Sequence, residues 1–138
     1  MKKLILASLA ILLLATSTTY AGSSGANSSQ DNFVKKRLQD LANQMYRNCP
    51  SKMDSETRLD KVTPGPGRRF NYFVTAMENT SDTIDISSIQ EVTAPKIFNE
   101  YCSSVNFMYK YDVTLSYTYY GNDGNYIGKF EITPDDCP

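Results

Sequence analysis

The chain contains no histidine and no tryptophan, and only three cysteines among its 138 residues. The missing histidine removes Ser-His-Asp and Cys-His nucleophilic devices, imidazole acid–base work and imidazole metal ligation together. Cys49, Cys102 and Cys137 are too widely spaced for a zinc site, which draws on close pairs. No phosphate-cradling loop is present, because Gly65 and Gly67 lie between prolines and precede an expected strand rather than a helix. Positive charge is scarce too. With 14 Lys+Arg against 15 Asp+Glu the net charge is −1, which gives no field for neutralising phosphates and argues against a nucleic-acid partner. The clusters Lys35-Lys36-Arg37 and Arg68-Arg69 are short and read as solvated faces. No cofactor or metal is expected.

Long hydrophobic runs are confined to the start of the chain. Met1-Lys2-Lys3 is positive, Leu4 to Ala15 is apolar, and Thr19-Tyr20-Ala21 supplies a small-x-small exit. These are the three parts of a secretory signal peptide. The apolar run falls short of the ~20 residues that span a bilayer, so cleavage is expected, after Ala21 or else after Ala26. Residues 1–21 are then a signal peptide, and no transmembrane anchor remains. The product is periplasmic or secreted. Without a cysteine near either site, the new N-terminus cannot carry a thiol-linked lipid.

Residues 22–30 are small and polar and read as a flexible tether. Residues 31–138 read as a single domain. Val34, Leu38, Leu41, Ala42 and Met45 form one helical face between Asp31 and Asn48, ended by Cys49-Pro50. A weak strand is expected at 57–63, followed by the turn Pro64-Gly65-Pro66-Gly67. Phe70, Tyr72, Val74 and Ala76 then alternate against Asn71, Phe73, Thr75 and Met77 as a strand. Asp85 looks like an N-cap for Ile86, Ile89, Thr93, Ile97 and Tyr101, with a kink or break expected at Pro95. Val113, Leu115, Tyr117 and Tyr119 alternate towards the turn Gly121-Asn122-Asp123-Gly124, and Tyr126, Gly128, Phe130 and Ile132 alternate on the way back. The order helix-strand-strand-helix-strand-strand predicts an α+β domain. Its antiparallel sheet of about four strands carries two main helices on one face.

Export places the cysteines in an oxidising compartment. Three pairings exist, each leaving one thiol. Cys102–Cys137 is favoured because it ties a helix end to the C-terminal end of the chain; closing about 35 residues would stabilise by roughly 3–4 kcal/mol in the chain-entropy model. Cys49 is then a buried thiol or an intermolecular link, with burial favoured. Its place at a helix C-terminus raises a thiol's pKa and argues against nucleophilic duty. Asp112 and Glu131 fall on strands expected to pair and could in principle act as two carboxylates. Ion pairs with Lys110 or Lys129 account for them without chemistry, and the chain is read as non-enzymatic.

Ten tyrosines are present, and Tyr109, Tyr111, Tyr117, Tyr119, Tyr120 and Tyr126 gather around one hairpin. Large side chains with polar tips are enriched at binding surfaces, so these six and Phe73 form the candidate binding surface. Ordinary half-buried sheet packing is the plainer account of the same residues.

The pattern formed by Phe33–Asn48, Thr57–Glu78, Asp85–Cys102, Val113–Thr133 and Cys137 resembles the AspS-type (GspS-beta) pilotins of bacterial type II secretion. The resemblance covers nearly all of the expected mature chain, as segment order rather than shared motifs. It implies a domain that holds a short helix of an outer-membrane secretin subunit in a groove, and a lipid on an N-terminal cysteine that carries the pair to the membrane. This chain lacks that cysteine and adds Cys49, so piloting by the same route is not implied. The resulting expectation is an envelope protein that binds another protein. The alternative is an inhibitor or immunity protein against a hydrolase such as lysozyme or a protease, plugging its target with the turns at 64–67 and 121–124.

Overall fold

The structure, a computed structural model, describes residues 24–138; the expected signal peptide and its cleavage point after Ala21 lie outside the described residues. The elements follow in the order α1 (Ser24–Tyr46), β1 (Ser51–Lys52), β2 (Thr57–Pro64), β3 (Arg69–Ala76), α2 (Ile86–Tyr101), α3 (Phe107–Lys110), β4 (Thr114–Gly121) and β5 (Tyr126–Ile132). A 3-10 turn at Pro134–Asp136 closes the chain. The five strands lie side by side in chain order.

The α+β expectation holds, but the sheet is five-stranded and mixed rather than four-stranded and antiparallel. β3 and β4 run parallel, from Arg69 opposite Thr114 to Ala76 opposite Gly121, while the other three pairs are antiparallel. The connection explains the difference. Two adjacent strands joined by a tight turn must be antiparallel, whereas α2 carries the chain back to the end where β3 began. The extra strand, β1, is only two residues long and pairs with Leu59 and Arg58, too short to show any periodicity.

α1 begins at Ser24, so much of the stretch read as a tether is helical. Serine, glycine and asparagine are weak helix formers, but Arg68, far along the chain, donates to Gln30 Oε1 at 3.3 Å and to Asp31 Oδ1 at 2.7 Å. Val34, Leu38 and Ala42 are buried as the helical stripe requires. α2 is capped by Asp85, whose carboxylate accepts from the Ser88 N–H at 2.9 Å. It runs through Pro95 as one helix rather than as two. α3, a single turn that sequence periodicity does not reveal, is capped by Asn106, whose side-chain oxygen accepts from the Met108 and Tyr109 N–H groups.

Both long helices contribute to one apolar cluster on one side of the sheet. α1 supplies Val34 and Leu38, α2 supplies Ile89 and Tyr101, and the strands supply Phe70, Val74, Leu115 and Tyr119. Gly128 lets α2 approach β5, because a Cβ there would lie 2.4 Å from Ile86 Cβ. Tyr101 is buried and donates to the Val113 carbonyl at 2.9 Å. At its end, Cys102 is bonded to Cys137 with Cα atoms 5.6 Å apart, the pairing favoured above. Cys49 stays a thiol that donates to the Met45 carbonyl at 3.4 Å, and partial burial pushes its pKa up, helped by the Asp60 charge.

Candidate functional site

Inward alternation on β3 and β4 places Tyr72, Tyr117 and Tyr119 on the helix-covered face. Tyr72 and Tyr117 occupy paired positions, and their rings stack 4.6 Å apart at 4°. Phe130 continues the array from β5, with its ring 5.4 Å from Tyr117. Burial pushes the Tyr72 hydroxyl up to about 12, with the neighbouring Tyr117 hydroxyl acting against it. Tyr117 and Tyr119 are pushed up by burial as well. These rings are neutral at any ordinary pH and offer an aromatic platform.

The platform is not wholly covered. α1 packs towards β2 and α2 towards β5, which leaves a groove over β3 and β4. One wall is the exposed side of α2 and the other is the chain around Met53–Thr57. Two cavities of about 340 and 400 Å³ make up the groove, and Asp54, Thr93 and Lys96 line both. The first has Tyr72 and Tyr117 in its lining and the second has Tyr119 and Ala76.

The rims are apolar and exposed. Met53 is 47% exposed on one wall and Val92 is 64% exposed on the other. Two charges on α2 join them. Lys96 and Glu100, one turn apart, have no ion pair within 4.0 Å among the described residues. Asp54 is already engaged. Burial pushes its carboxyl up, but hydrogen bonds from the Glu56 and Thr57 N–H groups outweigh that and hold it below the ordinary range. A trough of mixed polar and apolar lining, with an aromatic floor and charges at its mouth, suits an amphipathic segment of polypeptide. Among the described residues no cluster of acids and cysteines is placed to hold a metal ion.

A larger hollow of about 550 Å³ lies between α1 and the turn at 65–68. Its chemistry is internal, since Arg68 also donates to the Tyr111 carbonyl at 3.0 Å besides holding Gln30 and Asp31.

The residues expected to form one surface are dispersed. Tyr117 and Tyr119 join the groove lining. Phe73 points to the opposite face, with Lys61 Nζ 4.5 Å from its ring centroid. Tyr109 packs on Tyr101 at 5.8 Å, and Tyr111 packs with Phe33 and Phe107. Tyr120 and Tyr126 meet at 6.1 Å near the hairpin end, where Tyr126 is 59% exposed. A strand sends neighbours to opposite faces, so tyrosines crowded in sequence part in space. Asp112 and Glu131 do not come together either. Asp112 sits after α3 with φ 53° and is not on a strand, while Glu131 pairs with Arg69 and Lys129. Tyr72, Met53, Val92 and Lys96 were not singled out by sequence. A second exposed stripe on α2, Ser88-Val92-Lys96-Glu100 at steps of four, was the available signal.

No protein-family model and no curated protein sequence matches the chain. Solved structures do match at the level of fold. The pilotin EpsS of the Vibrio vulnificus type 2 secretion system superposes with a TM-score of 0.62 at 11% identity, covering 81% of this chain and 98% of that one. The type II secretion pilotin AspS of Vibrio cholerae gives 0.62 at 10% identity, covering 82% and 100%. A Pseudomonas aeruginosa protein described as secreted gives 0.61 at 12% identity, covering 79% and 96%. The chain shares the pilotin fold.

Proposed function

We propose that this chain is an exported binding protein, without enzymatic activity, that grips an amphipathic segment of another envelope protein in the groove beside α2. The observation that carries the reading is a pair of exposed apolar side chains on the groove's two walls, Met53 at the cavity floored by Tyr72 and Tyr117 and Val92 at the adjoining one lined by Tyr119. Exposed apolar side chains around a concave aromatic surface are the usual anatomy of a peptide site. The pilotin fold makes a secretin subunit the first partner to try. The inhibitor reading is less well supported. Asp123 in the 121–124 turn is bound back to Ser81, with its Oδ2 accepting from the Ser81 hydroxyl at 2.8 Å, which ties down one of the two proposed plugs.

The test is a titration of the purified protein with peptides tiling the secretin of the same cell, read by fluorescence anisotropy. Val92→Asp and Met53→Asp should each weaken the best peptide by about ten-fold or more, whereas Phe73→Ala on the opposite face should leave it unchanged. Binding that ignores both rim variants would overturn the groove assignment.

A further inference from the structure

The two edges of the sheet are treated differently. The β1–β2 edge is blunted by a two-residue strand, by a bulge between Leu59 and Lys61, and by Pro64. Such devices stop a sheet from recruiting further strands. β5, at the other edge, has none of them over its seven residues Tyr126–Ile132. It contains no proline, and its one register shift lies near the turn, next to Tyr120. Among the described residues no backbone group outside β4 bonds to residues 126–132. Its outer row of N–H and C=O groups is therefore open to another strand.

Charge selects that strand. The side chains of Lys129 and Glu131 lie on the open face, 3.2 Å apart at their charged atoms, with the Lys129 side chain 47% exposed. A lysine on an edge usually repels a second copy. Here a two-fold axis at Phe130, with antiparallel pairing, sets Lys129 opposite the partner's Glu131 and Glu131 opposite the partner's Lys129. Sliding the axis one residue either way would put lysine on lysine or glutamate on glutamate. The strand is self-complementary in one register only among these three. We infer that β5 is a homodimerisation edge, where two copies of this chain pair β5 to β5 about Phe130 into a continuous ten-stranded sheet. The groove beside α2 lies over β3 and β4 and stays open in such a dimer, so the inference is independent of the proposed function.

One paired strand per subunit is a small interface, so the dimer forms reversibly and its population rises with concentration. Sedimentation velocity on protein purified after expression of the full chain should show a mass moving from one copy towards two across a dilution series. Each cross-strand charge pair occurs twice by symmetry. Lys129→Glu and Glu131→Lys should therefore each weaken dimerisation by about ten-fold or more. Mixing the two variants should restore it, because each then meets its opposite charge on the other. A wild-type mass that stays at one copy up to the solubility limit overturns the proposal, as does a mixture no tighter than either variant alone. Should Glu131→Lys unfold through loss of its bond to Arg69, wild-type amide exchange decides. The β5 edge amides must slow as concentration rises, and exchange independent of concentration overturns the proposal.

Discussion

The two faces of the central sheet are made from the same strands yet hold together by different physics. On the helix-covered side Phe70 and Val74 have no exposure and Tyr119 has 1%, and stability there comes from apolar area and ring packing. On the open side the partners are polar. Asn71 Nδ2 donates to Thr63 Oγ1 at 3.3 Å, Thr75 Oγ1 donates to Asp60 at 2.6 Å, and Arg69 pairs with Glu131. Ser116 and Thr118 are buried on that side at 2% and 9% exposure, although no helix covers them. They are short residues flanked by the paired positions Asn71, Glu131, Phe73 and Lys129, all of them longer. A sheet face can thus be dry without a second layer, provided small side chains alternate with long ones across strands.

The largest break in this comparison comes from truncating neighbours that point opposite ways. Phe70→Ala should cost about 3–5 kcal/mol of unfolding free energy, through lost transfer and a cavity beneath the helices. Asn71→Ala, the next residue along, should cost less than about 1 kcal/mol. Urea denaturation of both variants measures the ratio, and near-equal costs would show that the open face is also a packed core.

Filling the space between α2 and β5 comes next in size. The Cβ of Gly128→Ala would fall within 2.4 Å of Ile86 Cβ and 2.8 Å of its Cγ2, so α2 must lift or β5 must bend, at about 1–3 kcal/mol. Ile86→Ala in the same chain removes the Cγ1 and Cγ2 overlaps and leaves the one with Cβ. The double variant should then recover part of the loss, which makes the coupling visible in a double-mutant cycle.

Much of this architecture was legible in sequence because period and face are written in it. The stripe Val34-Leu38-Ala42, the cap Asp85 and the inward tyrosines of β4 all follow from spacing. Strand direction is not a property of a strand's own residues, and the parallel β3–β4 pair depends on where α2 delivers the chain. The helical start of α1 rests on Arg68 reaching Gln30 and Asp31, a contact that propensity cannot foresee. The groove was hidden for a similar reason. Its walls, around Met53 and around Val92, are about forty residues apart and neither is remarkable alone. Crowding of tyrosines in sequence was a poor guide to one surface, because alternation divides them between faces.

High pH separates the faces next. Burial moves Tyr72 and Tyr101 from 10.0 up to about 12, so the folded state favours their neutral forms. That contribution is complete below about pH 10, where unfolded tyrosine is also neutral, and is lost as pH rises through about 12. Unfolding should therefore set in above pH 10 and appear together with a cooperative rise in phenolate absorbance. Tyr101→Phe should move that onset upward while lowering neutral-pH stability by about 1 kcal/mol, since the Val113 carbonyl loses its donor.

The smallest effect lies on the exposed side and in acid. Hydrogen bonds from Ser81 hold Asp123 at about 2, below its ordinary 3.8, with Asn125 assisting. The Arg69 guanidinium holds Glu131 below its ordinary 4.5, outweighing partial burial, and Lys129 adds to it. For both carboxylates the folded state favours the charged form. Their contribution is therefore present above the unfolded pKa, near 4, and is lost as pH falls through the lowered folded values. Because both sites are largely in water, the loss is modest and salt-sensitive. Between about pH 4 and pH 2 the hairpin turn should detach from Ser81 while the core stays folded. Amide exchange would then rise at Ser81 and Asn125, whose N–H groups donate to Asp123, without a change in the Val74 or Leu115 amides. Simultaneous exchange at both places would mean that the tip and the core unfold as one unit, and that the acid limit of this protein is set by its buried face.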